Sequence, residues 1–497
     1  MNPLRLLKSS SLYLIGNIAN RAVGFVMVPL YTRYLSTSDY GILELVELTI
    51  SLVIMSVGYY AITGSMVRIY YDWKETRERN AVVSSAIITM AVFGIFVTGA
   101  ADLAAPWLSI ALFHSTVQTS FIRYCFLATY IGSLMEPALS YLRLMDRALF
   151  FVSFSLVQLT ITLGLNIYFI AFAGQGIWSF VLSKLIFCTL GGGFLLFIIL
   201  REIGVHWRWE PTKRMMVFGA PLILSAVGFF IIHFSDRFFL TRYSTLSEIG
   251  IYSLAYKFGF VITYLVAQPF TLVWNVSLYR YLEQEGWRED FARVARFFIF
   301  CLFLAGVTLV LFAHELVAIM AAPAFRGAVA VIPVVIAAYV FREVGDFFRN
   351  ILYIIKDRSL HVGVIAAVCA VLDLGLNFVL IPRAGIVGAA WATLITWLVY
   401  MAVIWTAAQR DHKLPYSPRS LAVLAGVAVG TWYLGTRTAH LPVWQEMGAH
   451  GLLVIVFIGL SLVCGYFPRE DRKALAHYAS LALTAAKGSV VKTAKAA

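Results

Sequence analysis

Apolar residues run along this chain in blocks too long and too uniformly apolar to be one face of a soluble helix. Fourteen such blocks recur, at about 10–32, 40–66, 81–101, 119–142, 148–171, 176–200, 214–240, 249–275, 292–313, 328–353, 359–381, 386–408, 419–437 and 449–467. A helix needs about 20 apolar residues to cross a hydrocarbon core about 30 Å thick. The pattern therefore predicts an all-α integral membrane protein with fourteen transmembrane helices. Pro29, Pro137, Pro269 and Pro333 fall inside the blocks, where neighbouring helices can re-satisfy the freed backbone groups. The third block is blurred at its end by Asp102, Pro106 and Trp107.

The polar residues between the blocks give an orientation. With the N-terminus, the even-to-odd loops and the tail assigned to one face, that face holds 27 Lys and Arg; the opposite face holds only Arg33, Arg242, Arg326, Arg383 and Arg437. Positive charge accumulates on the cytoplasmic side, so both termini are expected there. The alternation also supports an even number of spans, since one helix more or fewer would scramble every later loop.

A repeat lies beneath the pattern. Leu163-Gly164-Leu165-Asn166 with Ala173-Gly174 returns as Leu374-Gly375-Leu376-Asn377 with Ala384-Gly385, 211 residues on. Arg33-Tyr34 with Ser38-Asp39-Tyr40-Gly41-Ile42 returns as Arg242-Tyr243 with Ser247-Glu248-Ile249-Gly250-Ile251, 209 residues on. Spans 1–6 and 7–12 are thus two copies. Six is even, so the copies run parallel, related by an axis along the membrane normal. The expected organisation is an N-terminal six-helix lobe at 1–212, a C-terminal six-helix lobe at 213–410, two additional helices at 411–467 and a basic cytoplasmic tail at 468–497. A duplication of this kind places a site between halves and points to transport.

Composition narrows the alternatives. The chain is 61% hydrophobic and 13% charged, against about 25% charged in soluble proteins. The net charge of +13 is spread over loops and does not form a nucleic-acid surface. Cys125, Cys188, Cys301, Cys369 and Cys464 all sit in apolar blocks without metal-ligand or disulfide spacing. The first block lacks a convincing cleavage site and reads as an uncleaved helix.

Asp236-Arg237, Ser247-Glu248-Ile249-Gly250-Ile251-Tyr252 and Ala255-Tyr256-Lys257 resemble the seventh–eighth helix signature of bacterial polysaccharide flippases. Leu376-Asn377-Phe378, Ile381-Pro382 and Gly385-Ile386-Val387-Gly388-Ala389-Ala390 resemble their eleventh–twelfth helix signature, and Asp39-Tyr40-Gly41 is typical of them too. The resemblance covers roughly residues 10–410. It points to the O-antigen and exopolysaccharide branch of the multidrug/oligosaccharidyl-lipid/polysaccharide exporter superfamily. It implies two six-helix lobes around a central cavity lined mainly by helices 1, 2, 7 and 8. It also implies movement of an undecaprenyl-pyrophosphate-linked oligosaccharide across the bacterial inner membrane by alternating access. Glycosyltransferases and a polysaccharide polymerase are the implied partners. In the related murein lipid flippases the last two of fourteen helices accommodate the lipid tail.

Seven basic residues fall within the spans: Arg21, Arg123, Lys184, Arg237, Lys257, Arg342 and Arg349. A lipid-exposed charge at the bilayer centre costs about 2.5–3.5 kcal/mol, so these must be paired, interfacial or in a wet cavity. Arg21 shares span 1 with Asn17 and Asn20 and has no acid in its own helix. Arg237 on span 7, with Tyr256 and Lys257 on span 8, completes the candidate substrate-binding set; His233 shares a face with Arg237 and reads rather as an interior histidine. Arginine binds phosphate bidentately, which suits a pyrophosphate headgroup. Glu44 and Glu47 lie at i, i+3 on span 2 and have two readings: neutralising a cavity cation, or taking a proton or sodium ion that couples transport. Asp236 is free to pair with a neighbouring helix. Arg342, Asp346 and Arg349 form a stripe on span 10 whose alternating signs favour pairing within the helix.

Three other classes compete. A drug or cation antiporter of the same superfamily would share the lobes but usually has twelve helices and fewer cavity cations. An enzyme would need a catalytic motif such as HExxH, GxSxG or a P-loop, and none is present. A scaffold would have no reason to carry buried cations. No cofactor or metal is expected.

Overall fold

The computed structural model describes residues 25, 27–282, 285–354, 359–438 and 441–472. Most of the expected first span, with Asn17, Asn20 and Arg21, lies outside the described residues, as does the tail from residue 473. The described chain is helical, with no strand. In order the helices are α1 (Val28–Tyr34), α2 (Thr37–Ser56), α3 (Tyr59–Tyr70), α4 (Thr76–Phe113), α5 (Thr119–Ser133), α6 (Met135–Leu144), α7 (Ala148–Ile167), α8 (Trp178–Phe187) and α9 (Gly193–Ile203). There follow α10 (Trp209–Tyr243), α11 (Leu246–Val261), α12 (Gln268–Leu282), α13 (Trp287–Leu311), α14 (Ala313–Met320), α15 (Ile332–Ile354), α16 (Ser359–His412), α17 (Pro418–Thr436) and α18 (Val443–Val463). Wider π-turns at Tyr168–Phe172, Cys188–Gly192 and Ile262–Ala267 continue α7, join α8 to α9 and join α11 to α12.

By length and apolarity, seven of the described helices can cross a membrane, or ten when each bent pair counts as one span. The expected fourteen is larger: α17, Pro418–Thr436, falls short of a span by that measure, and three further differences have a visible cause. The first span is mostly undescribed. The fourth breaks at Leu134 into α5 and α6, each too short alone. The eleventh and twelfth follow one another within α16, separated only at Gly385, whose φ of 53° and ψ of −131° leave the helical range. The second span bends 44° around Gly58, which has φ 81°, and the seventh bends 50° beyond Pro221. The surface matches a lipid environment. Leu149, Phe172, Phe194 and Val463 are 59–79% exposed, an apolar surface that water would not tolerate.

The chain forms two compact units. One comprises Met1–Lys257, Glu315–Val335 and Gly363–Thr396; the other comprises Phe258–His314, Ile336–Val362 and Trp397 onward. The first has a core of small and aliphatic side chains from α2 to α9, including Val46, Val82, Ala86, Ala128 and Leu195. Within the second, Arg293 and Arg296 of α13 hold Asp471 at 3.2 and 2.6 Å, fixing the chain just beyond α18.

Candidate functional site

The site begins where the two copies of the repeat meet. Helix α2 opens with a capping box in which Ser36 and Asp39 bond each other's backbone N–H. Helix α11 opens with the equivalent pair, Thr245 and Glu248. These two helix starts touch. Thr37 Oγ1 lies 2.6 Å from Ser247 Oγ. Gly41 abuts the carbonyl oxygen of Leu246, and Gly250 abuts that of Thr37, so closely that a Cβ at either glycine would collide with backbone. Only glycine allows this approach.

One to two turns further along α2, its side chains meet those of α11. Met27, Tyr31, Tyr40, Leu43, Glu44, Glu47, Phe180 and Lys257 line a cavity of about 220 Å³. The Lys257 ammonium sits 5.0 Å from the centroid of the Tyr40 ring. Among the described residues, no carboxylate comes within 4.0 Å of Lys257, although Glu44 and Glu47 both act on it through space. Behind the wall, Lys184 donates to Thr129 Oγ1 at 2.9 Å and its charge acts on Glu47. Two carboxylates and two ammonium groups sum to zero formal charge, so the group is balanced without any tight ion pair. Tyr31 donates to Asn166 Oδ1 at 2.9 Å, tying the cavity wall to the asparagine of the second repeated element.

Arg237 and Tyr256 lie elsewhere in the same unit, in a closed network. Arg237 is 0% exposed. Its Nη1 donates to Asp236 Oδ1 at 2.8 Å and to the His233 carbonyl at 2.7 Å. Its guanidinium carbon lies 3.7 Å from the centroid of the Tyr256 ring, a cation–π contact sealed from water. Asp236 Oδ2 accepts from the Tyr252 hydroxyl at 2.5 Å and the Tyr256 hydroxyl at 3.0 Å; Tyr256 also bonds Thr393 at 2.8 Å. Asp236 thus pairs with the arginine next in sequence. The network occupies these groups with one another in this conformation.

Asp373 is an acid of α16, inside the eleventh apolar block, whose surroundings the sequence does not show. It is buried and accepts from Ser235 Oγ at 2.9 Å, Asn377 Nδ2 at 2.9 Å and Thr396 Oγ1 at 3.1 Å. No cationic side chain lies within 4.0 Å among the described residues. The i, i+4 spacing of Asp373 and Asn377 is the only local signal for this cluster. Asn377 is the repeat partner of Asn166, and both are interior polar anchors.

The stripe on α15 belongs to the second unit. Arg342 Nη1 reaches Glu343 at 3.2 Å and Arg349 Nη1 reaches Asp346 at 2.7 Å, with Arg342 Nε 3.8 Å from Asp346. Thr263 donates to Glu343 at 2.6 Å, and Tyr400 donates to Asp346 at 3.1 Å. Every charge in the stripe therefore has an opposite charge on the same helix.

Comparison with known proteins gives a family and a fold. The family described as polysaccharide biosynthesis protein matches residues 30–330. Two Haemophilus influenzae proteins are similar: Lsg locus putative protein 1, 21% identical over 52% of this chain and 63% of its own, and an uncharacterized membrane protein, 23% identical over 56% and 65%. The chain thus spans just under two thirds of the length of these curated relatives. Among solved structures it resembles the lipid II flippase MurJ in an inward closed conformation, with a TM-score of 0.68 and 12% identity over 92% of this chain and 97% of that one. It also resembles an inward-facing multidrug resistance transporter of the MATE family, with a TM-score of 0.60 and 14% identity over 80% and 94%.

Proposed function

The chain belongs to the polysaccharide biosynthesis protein family, and from that premise we propose that it is a flippase for a lipid-pyrophosphate-linked oligosaccharide. The cargo would move from the cytoplasmic to the outer leaflet of the bacterial inner membrane by alternating access. Its fold is that of membrane transporters and flippases, not of an enzyme.

The observation that carries the reading is the mixed-charge cavity buried among membrane helices. Lys257 has an ammonium with no carboxylate in contact, and so is available to a phosphate. Tyr31 and Tyr40 offer aromatic faces to sugar rings. Glu44 and Glu47 would repel a pyrophosphate, so loading requires that they take a proton or a sodium ion. When the cargo leaves, they again balance Lys257. Arg237, Asp236 and Tyr256 serve as a positioning network: they fix α11 against α10 and so aim Lys257, which follows Tyr256 in the chain. Arg342 and Asp346 balance charge in the other unit. Arg21, Asn17 and Asn20 remain headgroup candidates by sequence. Glycosyltransferases would supply the cargo and a polymerase would consume it.

The test is transbilayer movement of a fluorescent lipid-pyrophosphate oligosaccharide in proteoliposomes. Lys257→Ala should slow it at least tenfold while the protein stays folded and monodisperse. Flipping at the native rate would overturn the proposal. The two cavity carboxylates also favour a second reading, efflux of a cationic compound. Dye extrusion that Glu47→Gln abolishes, with no lipid flipping by the native protein, would establish that reading instead.

A further inference from the structure

A second cavity lies away from this site, between α7 and the α8–α9 helix. It measures about 290 Å³ and its wall is apolar, formed by Phe150, Val157 and Ile161 on one side and Leu190, Gly191 and Phe194 on the other. The groove has a local cause. The π-turn Cys188–Gly192 widens one helix at the run Gly191-Gly192-Gly193. A Cβ on Gly191 would press on the Phe187 ring at 2.8 Å. Each glycine costs a helix interior about 1 kcal/mol relative to alanine, so three in succession weaken the regular helix here, and the Phe187 ring packs onto the bare backbone of Gly191 to form the groove's floor.

The groove has a length and a charged end. From Phe150 to Ile161 the wall rises eleven residues, about 16 Å at about 1.5 Å per residue. That is half of a hydrocarbon core about 30 Å thick, the depth of one leaflet. Phe194, Phe197 and Arg201 recur at three- and four-residue spacing on one face of α9, so the exposed side of the groove runs toward Arg201 at the helix end. Arg201 is exposed and has no hydrogen-bond or ion-pair partner among the described residues. Nearby, Arg147 is held bidentately by Glu202 at 2.6 and 2.7 Å. With Arg143 and Asp146, this rim carries three arginines against two acids.

We propose that this groove is a binding site for one acyl chain of an anionic glycerophospholipid, with its phosphate on Arg201. The depth fits a chain confined to one leaflet. A polyprenyl tail of tens of carbons is too long for it, and the free guanidinium selects an anionic over a zwitterionic headgroup.

Native mass spectrometry of the full-length protein with defined lipids tests the site. Phosphatidylglycerol should remain bound at collision energies that strip phosphatidylcholine. Val157→Trp, which fills the groove, and Arg201→Gln, which removes the charge, should each cut bound phosphatidylglycerol about fivefold or more. Arg383→Gln, an exposed arginine elsewhere, should not. Retention by both groove variants at the native level would overturn the proposal, as would equal retention of phosphatidylcholine. Displacement of phosphatidylglycerol by undecaprenyl phosphate in the native protein, lost in Val157→Trp, would assign the groove to the cargo tail and overturn it too.

Discussion

Gly41→Ala probes the meeting point of the two repeats. The new Cβ would fall on the Leu246 carbonyl oxygen and 3.2 Å from the Gly250 nitrogen. Both are backbone atoms, so no side chain can move aside and the two helix starts must separate. Overpacking of this kind costs typically about 1–3 kcal/mol. Separation also breaks the Thr37–Ser247 hydrogen bond, worth about 1 kcal/mol. The total, roughly 2–4 kcal/mol, lies within the roughly 5–15 kcal/mol stability of a folded protein, so the variant should fold. The same energy biases any equilibrium between joined and parted helix starts by roughly thirtyfold to several hundredfold. The assay is thiol labelling of Leu43→Cys, a cavity position just beyond the contact, in a protein without other cysteines reconstituted in liposomes. Gly41→Ala should speed labelling from the adjacent membrane face at least tenfold. Gly250→Ala should do the same, and the double variant should add little, because the helices have already parted. Labelling at the native rate, with an unchanged melting temperature, would refute the reasoning.

Arg237→Met strands the Asp236 carboxylate among buried tyrosines and should destabilise by about 3–5 kcal/mol, read as a fall in melting temperature in detergent. Tyr256→Phe keeps the ring over Arg237 but removes hydrogen bonds to Asp236 and Thr393, so its cost should be nearer 1 kcal/mol. Gly174→Ala and Gly385→Ala place a Cβ at φ of 63° and 53° and should each cost about 1–3 kcal/mol in the same melting experiment, Gly385→Ala the more because its ψ of −131° lies outside the left-handed helical well. Arg147→Ala breaks an exposed pair and should cost at most about 1 kcal/mol, diminishing with salt.

The helices were legible because a bilayer permits little else: apolar blocks of the right length must be helical. The breaks were not. Nothing in the apolar pattern distinguishes the π-turn at Cys188–Gly192 from ordinary helix, since the run of glycines is compatible with either. Glu44, Glu47 and Lys257 were legible as charges needing a wet or balanced setting, and they share one cavity. Lys184 was visible as a mid-helix cation, but its bond to Thr129 depends on a packing that sequence cannot supply. Asp236 was legible in part: its expected partners on a neighbouring helix are the Tyr252 and Tyr256 hydroxyls of α11, but its charge partner is Arg237 next in sequence, a pairing that adjacent helix positions do not favour. The arginine chain is long enough to fold back, and Tyr252 and Tyr256 close the remaining side. Gly41 and Gly250 were recognisable as repeated glycines, but not as each other's neighbours.

The contact between those glycines has an ancestral meaning. Gly41 meets Leu246 and Gly250 meets Thr37; shifted by 209, each pair becomes the other. Such reciprocity is the mark of an isologous interface in a two-fold homodimer, where residue i touches j and j touches i. In a true homodimer every substitution strikes both sides, so an acid near the axis always faces a second acid and a lysine a second lysine. Joining the halves in one polypeptide lifts that constraint. Leu48 corresponds to Lys257, Glu44 to Ser253 and Glu47 to Tyr256. Two carboxylates from one half and an ammonium from the other alone form a division of charge that gene fusion permits and strict symmetry forbids.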